Sequence, residues 1–364
     1  MKRSKPIPIP AVPALKRSLR AFVGSRISDS QTTLLTPVKG KEQRGVALLT
    51  VLLLVAVMSV LVMAMLDDIR FGLRRASNAQ AMAQAQWYAL GAESLAMARL
   101  DQLSARTGGR PVLPGELDGQ PLVFPIEHGV ISARLSDASA CFNLNSVVEG
   151  TGELWQRREA GSRQFAALLR ALDVPQRQAD GLVDGLVDWI DSDQSPGPAG
   201  AEDMVYLARD PAHRSSGALL AEVTELRAIA GFDDAVYRRL RPHVCALPTA
   251  GLSPLNVNAL GEDDAVLLTM LTDGALAPEA ARRLLRARPA AGWPDLDAFW
   301  AQPMLAGAGV EVPQDVRAQV ALRSRFFALK TQVEYTGAQL VASALLEHDA
   351  GATRLVARRL APLE

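Results

Sequence analysis

"RGVALLTVLLLVAVMSVLVMAML", Arg44–Leu66, is the stretch whose reading decides the fold. From Val46 to Leu66 its only polar members are Thr50 and Ser59. At about 1.5 Å of rise per residue, that run makes a helix of roughly 30 Å, the thickness of a bilayer's hydrocarbon core. A cleavable secretory signal has a shorter apolar region followed by a small-x-small site. This run ends instead in Asp67-Asp68, so it reads as a retained anchor; the competing reading is a buried helix of a soluble protein. Residues 1–45 carry ten Lys/Arg against only Asp29 and Glu42. A basic flank faces the cytoplasm, which puts the bulk of the chain on the other side of the membrane. The formal charge of zero therefore conceals a basic amino-terminal segment and an acidic remainder.

At 364 residues the chain is long enough for two domains with cores. Cys141 and Cys245 lie beyond the span, in a compartment that permits disulfides. Two buried free thiols are one reading; the compartment and the even count favour a bridge.

The helical pattern does not stop at the membrane. From Asp67 to about Leu103 there is no proline, and Ala, Met, Gln and Leu dominate, all good helix formers. The first break is "TGGRP" at Thr107–Pro111. Beyond it, "GVISARLSD" alternates, with Ile131, Ala133 and Leu135 on one face and Ser132, Arg134 and Ser136 on the other. That period of two predicts a half-buried strand, turned back on "PLVFPI" through Glu127–Gly129, with "ACFNLN" as a third short strand or strand end. The same grammar returns near the carboxyl end. Phe327, Leu329, Thr331, Val333 and Tyr335 alternate with polar residues, and Thr336-Gly337 is a hairpin signal before "AQLVASALLE" and "TRLVARRLA". Two strand groups so far apart predict one antiparallel sheet interrupted by an insertion, residues 146–322, made of short amphipathic helices between Gly, Pro and Asp turns.

Three kinds of chemistry can be weighed in the insertion. Asp188, Asp191, Asp193, Glu202 and Asp203 crowd around a Pro/Gly-rich loop. Such carboxylates repel unless they are solvated or share a cation, and hard oxygen ligands on a flexible loop suit Ca²⁺. Only the D-x-D opening of an EF-hand is present, so spacing alone leaves both a cation site and a solvated acidic helix end open. "SPLNVNALGEDDAVLLTMLTDGALAPEAARRLLRAR" is similar to helix-hairpin-helix modules that grip DNA backbone, which would make the chain a membrane-anchored DNA-uptake protein. Against this, the hairpin lacks a G-x-G turn, and the insertion holds sixteen Arg and no Lys against twenty-five Asp/Glu; phosphate binding needs the opposite sign. No nucleic-acid partner is expected. Catalysis finds no foothold: His128, His213, His243 and His348 are scattered, no C-x-x-C pair exists, and the Gly-rich stretches, including the loop with Gly307 and Gly309, lack a Walker lysine. The chain is not read as an enzyme.

The joint "KEQRG/VALLTVLLLVAVMSVLVMAML" resembles the class III signal of type IV pilins and type II secretion pseudopilins. "CFNLNSV", "LVDWIDSD", "GAEDMVY", "EVTELRAIAGFD", "RPHVCALP" and "LNVNA" then match, in order, the pattern of the K-type minor pseudopilins, the general secretion pathway protein K family. The resemblance implies cleavage by prepilin peptidase between Gly45 and Val46 and N-methylation of Val46, behind a leader longer than usual. It explains Thr50, because the K type departs from the glutamate that other pseudopilins carry at mature position five. It implies an α+β pseudopilin fold, a long amino-terminal transmembrane and stalk helix packed on an antiparallel sheet, with a large all-α domain inserted into that sheet.

The expected divisions are a cytoplasmic leader, 1–45; a transmembrane part, 46–66; a periplasmic pseudopilin helix and sheet, 67–145 plus 323–364; and the inserted helical domain, 146–322. The resemblance also implies structural Ca²⁺ in the insertion, held by Asp191, Asp193, Glu202 and Asp203, with Asp188 as a further candidate. Partners implied are the minor pseudopilins I and J, the major pseudopilin, prepilin peptidase and the inner-membrane assembly platform, and beyond them secreted substrates or the outer-membrane secretin. The implied role is at the tip of the pseudopilus, priming its assembly and supporting export of folded periplasmic proteins.

Overall fold

A computed structural model describes residues 43–106, 113, 117–152, 154–306 and 312–362. Most of the leader, the "TGGRP" break and the loop holding Gly307 and Gly309 lie outside the described residues. The chain divides into two compact units, Met1–Ile69 and Arg70–Glu364. In the first, the opening turns of helix α1 (Gln43–Arg106) carry the apolar run, with side chains such as Leu49 and Met63 fully presented to the surroundings. Among the described residues this is the one helix long and apolar enough to cross a membrane. Thr50 donates its hydroxyl to the Ala47 carbonyl at 2.9 Å and Ser59 to the Val55 carbonyl at 2.8 Å, so both polar groups are satisfied inside the helix, as an apolar solvent demands.

In the second unit, α1 lies on a five-stranded antiparallel sheet of order β1-β2-β9-β10-β11. The strands are β1 (Pro121–Ile126), β2 (Gly129–Asp137), β9 (Phe326–Tyr335), β10 (Ala338–Asp349) and β11 (Ala352–Pro362). Each hairpin turns through positive φ, at His128, then Thr336-Gly337, then Ala350-Gly351, with glycine supplying the left-handed tolerance in the last two. The alternation read in β9 is real, with Phe327, Leu329, Thr331 and Val333 buried and Lys330, Gln332 and Glu334 exposed. Small residues bring α1 close: Ala85 and Ala89 pack with Ile131, Val333 and Leu340, and one turn-cluster further on Leu100 packs with Phe327, Leu329 and Leu346.

Two polar locks fix the register of helix on sheet. Glu93, nearly buried, takes a bidentate pair from Arg358, at 2.7 and 2.6 Å. Near the end of α1, Thr353 donates to Asp101 at 2.6 Å, accepts from His348 Nδ1 at 2.9 Å, and His348 Nε2 accepts from Ser104 at 2.8 Å. The single Thr353 proton, spent on Asp101, places the imidazole proton on Nδ1. Ser104 is 1 % exposed, so its hydroxyl is a structural tie.

The chain leaves the sheet at Asp137 and re-enters it at Phe326. The inserted region therefore begins before residue 146: "ACFNLN" is not a strand of the main sheet. Its β3 (Phe142–Asn143) pairs in parallel with β6 (Val244–Cys245), deep in the insertion. The insertion also contains β4 (Val148–Thr151) and β5 (Leu154–Arg157) as a hairpin, and β7 (Leu255–Asn256) parallel to β8 (Val320–Ala321). Short strands thus accompany the expected helices: α2 (Glu159–Ala171), α3 (Gln176–Ile190), α4 (Asp203–Leu207), α5 (Asp234–Leu240), α6 (Ala265–Leu271), α7 (Pro278–Arg286), α8 (Leu296–Trp300), α9 (Pro303–Ala306) and α10 (Gln314–Gln319). "AEVTELRAIAGF" forms only a 3₁₀ turn, Val223–Arg227, closed by a reciprocal Glu222–Glu225 capping box. One apolar core built on Phe142, Phe165, Leu168, Leu186, Leu267 and Phe299 unites these pieces.

Candidate metal centre

Helix α3 is amphipathic, and its buried apolar side includes Leu182, Val183, Leu186, Val187 and Ile190. Asp184, Asp188 and Asp191 recur at helical spacing and are also buried, at 7, 3 and 7 % exposure. Buried carboxylates must be hydrogen-bonded or paired, and the loop after α3 satisfies two of them. Asp184 takes Arg157 at 2.8 Å and the Ala199 amide at 3.1 Å. Asp188 accepts the Gly197 amide with both oxygens, at 3.1 and 3.0 Å. Gly200 sits so close that a Cβ there would fall 1.8 Å from Asp188 Oδ2. From the other side, Ser192 is pinned to Trp155 of β5 by two hydrogen bonds, at 2.6 and 3.0 Å. The helix end and its loop are therefore a fixed cradle.

Three of the five expected ligands meet in that cradle. One carboxylate oxygen each from Asp191, Asp193 and Glu202 lies within 4.8 Å of the others. Asp191 Oδ1 and Glu202 Oε1 are buried and have no hydrogen-bond partner. The other two candidates are occupied elsewhere. Asp188 clamps the loop, as above. Asp203 points away, to Arg214 at 2.9 Å and to the Ser215 amide and hydroxyl, each at 3.0 Å. Asp203 thus belongs to the support of α4, and its oxygens are already engaged.

The electrostatics follow from this placement. Burial first, and then Asp193, Asp188 and Glu202, push Asp191 up to about 7. Burial followed by Asp188 and Asp193 push Glu202 up to about 7, against the Ser215 hydroxyl. Burial also raises Asp188, opposed by the Gly197 and Ala201 amides. Either a proton or a cation relieves such a group. The donors are all carboxylate oxygens, with two oxygens buried and unspent. That set fits a hard divalent ion such as Ca²⁺ and offers nothing to a thiophilic one.

Cys141 and Cys245 form a disulfide with Cα atoms 5.8 Å apart, closing a separation of 104 residues beside the β3–β6 pair. The asparagines around it, unremarked as site residues in sequence, are the insertion's tie points. Asn143 and Asn145 are fully buried. Asn143 binds Thr249 and Leu247, and Asn145 binds Leu220 and Leu247. In "LNVNA", Asn256 reaches Ser324 at 2.8 Å and Asn258 exchanges hydrogen bonds with Trp293. The signal available was the pairing of asparagines with apolar neighbours, which predicts buried amides bonded to backbone. At the amino-terminal end, Gly45 and Val46 both lie in the first turn of α1.

The family description "Type II secretion system (T2SS), protein K" matches residues 140–249 and 255–321, the insertion from the disulfide strand to β8. The type II secretion system protein K of Klebsiella pneumoniae is 40 % identical over 263 residues, covering 72 % of this chain and 80 % of that one. The chain belongs to the type II secretion system protein K family. The Pectobacterium carotovorum member is 34 % identical over 294 residues, with 80 % of this chain and 88 % of that one aligned. Among solved structures, the GspK-GspI-GspJ complex of enterotoxigenic Escherichia coli matches with a TM-score of 0.67 and 33 % identity, covering 79 % of this chain and 99 % of the matched chain. The family membership accounts for the combination described above: an apolar amino-terminal helix, a split sheet and a large insertion.

Proposed function

We propose that this chain is the K-type minor pseudopilin of a type II secretion pseudopilus, inserted once in the inner membrane with its bulk in the periplasm. It joins minor pseudopilins of the I and J types at the tip, primes assembly of the major pseudopilin on the inner-membrane platform, and supports export of folded proteins. The observation that carries this reading is the pseudopilin sheet split by a bulky insertion, on the same chain as a retained apolar helix. A second subunit stacked above this one would meet the insertion, and Thr50 offers no carboxylate to a neighbour's amine. Both features favour the first position. Prepilin peptidase cleaves between Gly45 and Val46 and the new terminus is methylated.

Ca²⁺ is structural here, held by Asp191, Asp193 and Glu202, and it relieves the two buried oxygens, Asp191 Oδ1 and Glu202 Oε1, that have no partner in the fold. The acidic insertion and the Asp273-Gly274 turn of the α6–α7 hairpin speak against DNA as a ligand. Amino-terminal sequencing and intact mass of the membrane-bound protein, with and without prepilin peptidase, test the proposal. A chain beginning at methylated Val46 only when the peptidase is present supports it. Retention of residues 1–45 in both cells leaves an ordinary signal anchor and removes the basis for the tip role.

A further inference from the structure

Alternate residues of β10, among them Leu340, Ala344 and Leu346, pack toward α1. Glu347, the next in the strand, therefore points to the opposite face of the sheet. There Pro248 and Thr249 of the insertion approach, and a cavity of about 470 Å³ lies along the seam. Glu347 is 3 % exposed. It sits opposite Arg354 on β11 and opposite Phe326 on β9, which Arg325 immediately precedes. Arg325 Nε donates to Glu347 Oε1 at 2.7 Å and Arg354 Nε to Oε2 at 2.8 Å. Each Nη2 reaches the same oxygen as its Nε, at 2.6 Å. One buried carboxylate thus holds two guanidiniums, which leaves a surplus of one positive charge in the cavity wall. Burial raises Glu347, but the two guanidiniums outweigh it and hold the carboxyl below its ordinary value. The surplus therefore persists at neutral pH.

Three features select the ligand. Among the described residues no partner takes Nη1 of Arg325 or of Arg354, so each guanidinium keeps an unspent edge. A guanidinium clamped on its other edge has already lost rotamer freedom and meets a planar carboxylate pre-organised. A single surplus charge matches a monoanion better than phosphate, which carries nearly two charges at neutral pH. Finally, the cavity has room for about fifteen waters, far more than one inorganic ion fills, and Pro248, Leu355 and Val356 make part of its wall apolar. Val356 is the extra residue of the bulge in β11, and a bulge re-aims a side chain. The wall asks for an apolar group attached to the carboxylate.

We propose that this seam pocket captures the carboxyl terminus of a peptide chain whose last residue is apolar. Arg325 and Arg354 take the carboxylate through Nη1, and Pro248, Leu355 and Val356 take the side chain. Nothing in this assignment depends on where the chain sits in a pseudopilus.

The test is a saturation-transfer NMR titration of the full chain in zwitterionic nanodiscs, with empty nanodiscs as the blank. The probes are N-acetyl-leucine, its neutral counterpart N-acetyl-leucinamide, and inorganic phosphate. A dozen non-hydrogen atoms at ordinary ligand efficiency give N-acetyl-leucine a Kd on the order of 1 mM. The amide and phosphate should each bind at least about tenfold more weakly, the size of one lost charge-assisted contact. Arg354→Gln, at a largely exposed side chain, should leave the melting temperature nearly unchanged and weaken N-acetyl-leucine about tenfold. Val356→Ala touches no charge and should weaken it about threefold. Equal affinity for the amide would show that no carboxylate is read, and equal affinity for phosphate would show that the apolar wall selects nothing; either overturns the proposal. Unchanged affinity in Arg354→Gln would place the binding elsewhere on the molecule and overturn it as well. So would the absence of saturation by about 20 mM.

Discussion

Stripping divalent cations should destabilise the inserted domain at alkaline pH and leave it nearly untouched in mild acid. Asp191 is held at about 7 against an ordinary 3.8, and Glu202 at about 7 against 4.5. A carboxyl raised in the folded state keeps its proton after the unfolded chain has shed its own. Below about pH 4 both states are protonated and the fold bears no cost. As pH rises from about 4 to about 7, stability falls, and the whole cost is present above about 7. This is the reverse of a salt-bridged carboxylate, which gains stability over the same range. Each pKa unit corresponds to about 1.4 kcal/mol. Glu202 raises Asp191, and Asp188 and Asp193 raise both, so the cluster titrates as a unit, and exposed Asp193 opens one side of the site to screening water. About 3 kcal/mol for the pair is therefore the working magnitude. For a unit of this size it corresponds to a drop of roughly 6–12 °C in melting temperature.

Trp189, edge-on to Tyr206 at 5.0 Å, and Trp155, bonded to Ser192, report on the cradle by fluorescence. The full chain in nanodiscs would be melted in chelator and in excess Ca²⁺, at about pH 5 and about pH 8. Ca²⁺ should raise the midpoint by the stated amount at the higher pH and by little at the lower. Asp191→Asn removes one buried charge, so the chelated variant should outlast the chelated parent at the higher pH and respond weakly to Ca²⁺. An equal effect of chelator at the two pH values would refute the linkage, and an undiminished Ca²⁺ response in Asp191→Asn would refute the ligand assignment.

Gly200→Ala should lower Ca²⁺ affinity by at least about tenfold in isothermal titration, because its Cβ would strike Asp188 and shift the loop that carries Glu202. Asp203→Asn should change that affinity little, since its carboxylate is spent on Arg214 and Ser215. Replacing both Cys141 and Cys245 by Ser should cost up to about 4–5 kcal/mol in urea unfolding, the chain-entropy value for a loop of about a hundred residues. Arg358→Leu leaves Glu93 buried and unpaired between α1 and β11, and should cost about 3 kcal/mol in the same assay, the low end for a buried pair because Arg358 is partly exposed. Thr50→Glu should leave recovery of the I and J partners intact if the insertion's bulk fixes the tip position, and a marked loss would show that charge pairing does.

What the sequence exposes and what it hides divide by range. The apolar run, the uninterrupted α1 pattern, the period of two in β2 and β9 and the Thr336-Gly337 turn are all decided within a dozen neighbouring residues, and each is where its pattern puts it. The mistaken boundary at residue 146 has a different origin. Phe142-Asn143 is strand-like in isolation, and only its pairing with Val244-Cys245, a hundred residues on, moves it from the sheet to the insertion.

The ligand set divides in the same way. Five acids near one loop are visible in the sequence, but which of them are free is settled by groups that no spacing rule connects to them. Arg214 pairs with Asp203 and Ser215 hydrogen-bonds it, from eleven and twelve positions downstream, and the Gly197 amide takes Asp188. Asp191 and Glu202 are left over because one buried oxygen of each, Oδ1 and Oε1, meets no donor. The proposed metal centre is thus defined by subtraction: its proposed ligands are the clustered carboxylates that keep an oxygen no protein charge pairs. That is why changing a competing partner tests the site as sharply as changing a ligand. Arg214→Ala should free Asp203 to add its charge to the cluster, tightening Ca²⁺ binding while lowering the stability of the chelated protein at about pH 8, where the added repulsion is unscreened by protons.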